Sequence, residues 1–307
     1  MVGDYWTSLR AYCASVGSPR WGYIQPTPEK IGEHVGRFMR LDMPSTEFVR
    51  GRVNEIVKDA AVAEKLKGWY PSWCKRPTFH DGYLDLFNKE HVHLVDTEGR
   101  GVDAANERGL VVAGTEYPLD VLILSTGFDG PASGHGNPAF RAGYELVGKG
   151  GRTLSAKWKE QGPTTLHAAS SNGFPNCFWQ SPIQGSSGAN YTYSIETWTD
   201  HLVAVLKELT SRVEEGQRPI VENTVEAEEV WAGEIMRHGA YLAGFMPCTP
   251  GYITSEGALA VLPTDQAEMM KKARLGTWSL GLESFSEALK KAREEGNKGY
   301  QVTPVGA

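Results

Sequence analysis

Asp120-Val-Leu-Ile-Leu-Ser-Thr-Gly-Phe-Asp129 is the stretch whose reading decides the fold. Val121, Leu122, Ile123 and Leu124 form an apolar run without alternation, and Ser125-Thr126-Gly127 ends it at a turn. A strand apolar on both sides reads as buried on both faces, as in the parallel sheet of a doubly wound α/β domain. The carboxyl end of such a strand is where these sheets bind ligands, which makes Phe128 and Asp129 candidate site residues.

A doubly wound nucleotide-binding domain also needs a glycine turn that presents backbone N–H groups to a pyrophosphate. The 307 residues hold one loose approach to G-x-G-x-x-G, Gly134-His-Gly136-Asn-Pro-Ala139. It follows no strand directly, and Pro138 stands where the helix should begin. Gly148, Gly150 and Gly151 read as a turn, and there is no G-x-x-x-x-G-K-[ST] phosphate loop. No cofactor is therefore expected from the residues present.

Several blocks carry a resemblance. They are Gly3-Asp4-Tyr5-Trp6, Gly68 to Asp81 (GWYPSWCKRPTFHD), Asn88 to Asp96, DVLILSTGFD itself, Gly173-Phe-Pro-Asn176 and Ser194-Ile-Glu196 before an apolar helix. Together they resemble the C-terminal half of the Baeyer–Villiger-type flavin-containing monooxygenases. The resemblance implies an α/β fold, a truncated remnant of the doubly wound flavoprotein with a helical C-terminal part. It further implies that residues 1–90 correspond to the end of the NADP domain and 91–307 to the rest of the FAD domain. In that family a Lys-Arg pair binds NADP and steadies the reacting flavin, and a carboxylate from the other half orients the arginine. Here the pair is Lys75-Arg76.

Composition excludes some classes. A net charge of −6 argues against nucleic acid, whose binding needs clustered positive charge. Lys290-Lys291-Ala-Arg293 is balanced by Glu294 and Glu295 and reads as a solvated helix face. No 18-residue apolar stretch or signal-peptide pattern is present, so no membrane role and a soluble cytoplasmic protein are expected. The four cysteines (Cys13, Cys74, Cys177, Cys248) form no C-x-x-C pair, which favours a reduced intracellular protein over a disulfide framework.

The first 40 residues, rich in Gly, Pro and aromatics, read as irregular. Pro44 to Glu47 opens a helix, with Phe48, Val49, Val53, Ile56 and Val57 as its stripe and Gly68 as its stop. Short strands are expected at His91–Val95, Leu110–Ala113 and Asn176–Trp179. Residues 130–163 hold eight glycines and read as a long irregular connection. Helices are expected from Tyr193 to Leu209, from Thr224 through Tyr241, and from Ser284 to Glu295. The buried strand lacks its neighbours in this sequence, so a homodimer or a partner chain is expected to cover it.

Arg76 is the sharpest catalytic candidate, since a guanidinium stays charged and offers five donors to a developing oxyanion. A surface ion pair is its plain alternative. Gln180, Tyr191 and Asp129 are the other catalytic candidates. Trp73, Lys75, Phe128, Trp179, Tyr193 and Trp198 are candidates for binding an apolar substrate. His80-Asp81 could exchange protons but reads more simply as a turn. His91-x-His93 lacks a third ligand, so no metal is expected. Ser186 and Ser187 read as helix-entrance residues rather than nucleophiles.

Three functions fit these residues. The leading one is a cofactor-independent enzyme that folds an apolar terpenoid or polyketide intermediate in a vacated flavin pocket, for isomerisation or a cyclisation of the Diels–Alder type. Holding one reactive conformer can lower a barrier by about 7–11 kcal/mol in favourable intramolecular cases. The second is half of a split FAD- and NADPH-dependent monooxygenase. The third is a non-catalytic remnant or binding module.

Overall fold

The computed structural model describes residues 8–127, 136–186, 188 and 190–306. The long N-terminal helix starts earlier than the sequence suggests. After α1 (Arg10–Ser15), α2 runs from Pro28 to Ile56, 29 residues, with Pro44 inside it. Thr27 caps it by accepting from the Lys30 N–H, and Pro28 at the first position has no N–H to leave unpaired. Across the proline gap Thr46 Oγ1 donates to Asp42 Oδ2 at 2.7 Å, a side-chain link over one turn. Asp59 caps α3 (Ala60–Leu66), which packs through Ala63 on Val53 and Val57.

A three-stranded antiparallel meander follows: β1 (Ala104–Ala105), β2 (Gly109–Val112) and β3 (Thr115–Pro118). Its tight β2–β3 hairpin turns on Ala113 and Gly114, both at positive φ as a two-residue hairpin requires. Beyond β3 the expected buried strand is not formed. Val121, Ile123 and Leu124 are 74, 82 and 75 % exposed, and no described strand pairs with them. An apolar run specifies burial only when sheet neighbours are present, and none of the described residues supplies them.

Two more strand expectations fail for local reasons. His91–Val95 is irregular. Asn176 adopts φ 55°, a left-handed conformation that breaks an extended run. Asn176–Trp179 is fixed instead by single bonds, among them Asn176 N–H to Val221 O and Trp179 N–H to Ala169 O, each at 2.9 Å. The 130–163 connection is not wholly irregular: it contains α4 (Pro138–Arg141) and α5 (Leu154–Gln161), the latter capped by Thr153.

The C-terminal part follows the expected helices: α6 (Tyr191–Thr210), α7 (Val225–Arg237, capped by Thr224) and α9 (Leu282–Glu294), with α8 (Gln266–Ala273) between the last two. The 3-10 turn Gly239–Phe245 continues α7. Strands β4 (Arg218–Asn223) and β5 (Tyr300–Val305) pair antiparallel in the register Val221 to Val302. Val205, Leu209, Trp231, Ile235, Phe285 and Leu289 form the largest core, where Trp231 stacks on Trp278 at 4.9 Å.

A second core joins Ala11, Phe38, Trp73, Cys74 and Tyr241, so α1 and α2 pack on the end of the α7 segment. Cys74 and Cys248 form a disulfide there, contrary to the expectation of four free thiols; only their distance in the fold, not their spacing in the chain, marks them as a pair. Gly17 and Gly281 mark another close crossing. Both have positive φ, and a Cβ on Gly17 would lie 2.1 Å from Ser279 O.

Candidate functional site

The residues singled out from the sequence fall into two groups. The first surrounds the 3-10 turn Ser72–Cys74. Buried Asp42 accepts from the Ser72 N–H at 3.1 Å and from its hydroxyl, which fastens the turn to α2. Trp73 is fully buried and donates its indole N–H to Gly244 O at 3.0 Å. Lys75 Nζ donates to Pro250 O at 3.0 Å and sits 5.4 Å over the Tyr70 ring. Arg76 is exposed, and among the described residues no carboxylate pairs with it. Its charge acts on Tyr12, whose hydroxyl is raised by burial while Arg76 pulls it back down.

The second group lies at the start of α6. Tyr191 OH donates to Gln180 Oε1 at 3.4 Å, so these two catalytic candidates do meet, loosely. Asn190 caps the helix by accepting from the Tyr193 N–H. Tyr191 and Tyr193 are exposed, Trp198 is half-buried, and Trp179 is buried edge-on to Trp158 at 6.2 Å. Among the described residues no hydrogen bond, ion pair or ring contact joins this group to Arg76. Phe128 and Asp129 lie outside the described residues. His80 Nδ1 accepts from the Gly82 N–H, the bond of a turn. No group of three His, Cys, Asp or Glu among the described residues is placed to hold a metal ion.

Two buried polar clusters escaped the sequence reading. Lys157 and Glu228, 5 and 1 % exposed, form an ion pair at 2.6 Å. Lys157 also donates to Ser171 Oγ and Asn172 O, while Glu228 Oε2 accepts from the Asn172 N–H at 2.8 Å and from Asn223. Burial lowers the Lys157 ammonium and Glu228 opposes that shift. The pair lies in the wall of an open cleft of about 350 Å³ that Lys149, Asn172, Phe174 and Glu222 also line. In sequence Lys157 sits among Lys159 and Glu160 and Glu228 among Glu226 and Glu229, which disguises both as solvated helix faces.

The other cluster is a chain of three bases. Arg293 Nη1 lies 3.1 Å from His201 Nδ1, and His201 Nε2 lies 3.0 Å from His167 Nδ1. A guanidinium only donates, so His201 must accept at Nδ1 and carry its proton on Nε2 toward His167. Burial, then the Arg293 charge, pushes His201 down to about 4. Burial pushes His167 well below its ordinary value, and His201 and Arg293 add to this. His167 and Ala168 both adopt positive φ, a conformation non-glycine residues rarely share.

With this geometry in hand, comparison with known proteins is decisive about kinship: the chain belongs with the C-terminal half of the Baeyer–Villiger-type flavin monooxygenases, an α/β flavoprotein class. No family model matches it. It is 50 % identical over 304 residues to a polycyclic ketone monooxygenase of Thermothelomyces thermophilus, covering 99 % of this chain and 46 % of that protein. The solved structure of that enzyme superposes with a TM-score of 0.93 over the same shares. Pentalenolactone D synthase of Streptomyces exfoliatus is 39 % identical over 267 residues, 86 % of this chain and 43 % of its own. An oxidised steroid monooxygenase bound to NADP, 26 % identical, matches with a TM-score of 0.65 over 86 % of this chain and 46 % of its own. The chain thus spans about half the length of the relatives it matches. Among the described residues no helix is long and apolar enough to cross a membrane.

Proposed function

We propose that this chain is the C-terminal portion of a FAD- and NADPH-dependent Baeyer–Villiger monooxygenase of natural-product metabolism. In this reading a portion with the glycine turns, on the same polypeptide or on a second chain, completes it. The observation that carries the proposal is the exposed apolar segment Val121–Leu124. Four consecutive large apolar residues standing in water a few residues beyond an edge strand call for cover by further structure. The relatives' additional length, somewhat more than half of each protein, is where such strands would come from.

The residues present fit the chemistry. Bound flavin with NADPH would supply the reducing equivalents that activate oxygen. Arg76 would stabilise negative charge beside it, since a guanidinium stays charged and offers several donors. It is exposed and has no described carboxylate partner, which leaves it available to an acid from the completing portion. Lys75 is held on Pro250 O next to it and would offer a positive charge to an NADP phosphate. Gln180 and Tyr191 would meet an apolar carbonyl substrate from the α6 side.

The cofactor-independent reading needs an enclosed hollow around these same residues. Trp73 and Trp179 fill cores, while Tyr191 and Tyr193 stand open to solvent, so isomerisation or cyclisation without flavin has less support. The test is co-expression of this chain with the flavin-binding half of the Thermothelomyces relative. A yellow complex that consumes NADPH in the presence of a polycyclic ketone is expected. No association, or cyclisation of a polyene by this chain alone without flavin, would overturn the proposal.

A further inference from the structure

We propose that the Cys74–Cys248 disulfide is a redox-responsive staple that positions Arg76, an inference that rests on the role given to Arg76 above. Three consecutive residues of the segment leading to Arg76 are each tied to one short stretch. The Trp73 indole N–H donates to Gly244 O, Cys74 is bonded to Cys248, and Lys75 Nζ donates to Pro250 O. The two stretches are 174 residues apart in sequence, and neither belongs to a sheet that could align them.

Of the three ties only the disulfide is covalent. The Lys75 bond is at the exposed edge, where water competes with the carbonyl. Arg76 follows directly, and the residues after it, Pro77 to His80, form no helix or strand. The backbone position of Arg76 thus depends on the staple together with the Asp42 bonds to Ser72 and the buried Trp73. Cys74 is buried, whereas Cys248 is partly exposed beside the exposed residues Thr249 and Pro250, which makes Cys248 the more approachable half of the bond. Reduction by a dithiol breaks the S–S bond: two electrons and two protons yield two cysteine thiols, and the reductant closes to its own disulfide.

Backbone hydrogen exchange on this chain tests the staple. With the bond intact, exchange in peptides covering 70–77 and 244–252 should be slow. After full reduction, verified by alkylation of both thiols, it should rise tenfold or more there and stay unchanged in α9. Cys248→Ala should reproduce the fast exchange without reductant, and reoxidation of the wild type should restore the slow one. A change under twofold, or four alkylatable thiols in untreated protein in place of the two that an intact Cys74–Cys248 bond leaves, overturns the staple. In the flavin-loaded complex, reduction should raise the KM for NADPH several-fold with a smaller effect on kcat. Turnover indifferent to reduction would refute the positioning of Arg76 alone; absence of turnover in both redox states would refute the monooxygenase reading, while exchange still decides the staple.

Discussion

Replacing Glu228 by Gln keeps the shape of the side chain, removes its charge and turns one of its two accepting oxygens into a donor. Lys157, 5 % exposed, then stays in the interior without its counter-ion. Breaking a buried pair from one side costs about 3–5 kcal/mol. Lys157 retains Ser171 Oγ at 2.8 Å and Asn172 O at 2.9 Å, which sets the expectation near the lower end, about 3 kcal/mol at pH 7. The loss should depend on pH in a defined direction. Burial already lowers this lysine against the pull of Glu228, and without that pull it titrates lower still. Between that value and the ordinary lysine value the unfolded chain binds more protons than the folded one. Stability of the variant then rises with pH, by up to about 1.4 kcal/mol per unit. Urea unfolding followed by tryptophan fluorescence should show the deficit against wild type narrowing between pH 7 and 9.5. Lys157→Met should cost less, because Glu228 keeps donors from Asn172 and Asn223. A deficit under about 1 kcal/mol, or one that does not change with pH, would refute this account of the pair.

Other outcomes follow from the same structure. His201, held down to about 4 in the fold, is protonated more readily when unfolded, so stability should be full above pH 6.5 and fall by about 3 kcal/mol as pH drops toward 4. His201→Gln should flatten that slope in acid unfolding titrations, and a slope identical to wild type counts against the histidine chain. Gly17→Ala combines a left-handed backbone with a Cβ 2.1 Å from Ser279 O, and should cost more than the ~1–2 kcal/mol of the conformation alone, read as a lowered denaturant midpoint. The double substitution Val121→Asp, Ile123→Asp should leave this chain's unfolding free energy within about 0.5 kcal/mol, since both side chains are exposed, yet abolish association with a flavin-binding half in size-exclusion chromatography.

What the sequence made legible was what short-range chemistry determines. Helices α6, α7 and α9 carry apolar residues at helical spacing, and Thr224 announces its helix as a capping residue. The first half of α2 was hidden because Pro28 and Pro44 look like breaks, although one sits at a helix start and the other is tolerated in the interior. Helix α5 was hidden by the glycines around it. The apolar run at Val121 forms no strand here because burial belongs to a strand together with its neighbours, and none of the described residues supplies them. The same limit applies to the candidate site. Gln180 and Tyr191 meet because both lie near the entrance to one helix. Long-range partners such as Lys157 with Glu228, His167 with His201, and Cys74 with Cys248 have no local signal that pairs them.

The sulfur link also changes how cleavage of the molecule would look. A protease cutting once anywhere between residues 75 and 247 opens the chain without separating the pieces, because Cys74 and Cys248 lie on opposite sides of every such cut. On a denaturing gel the nicked protein would migrate as two fragments only after mercaptoethanol. A clipped preparation would otherwise pass for intact material.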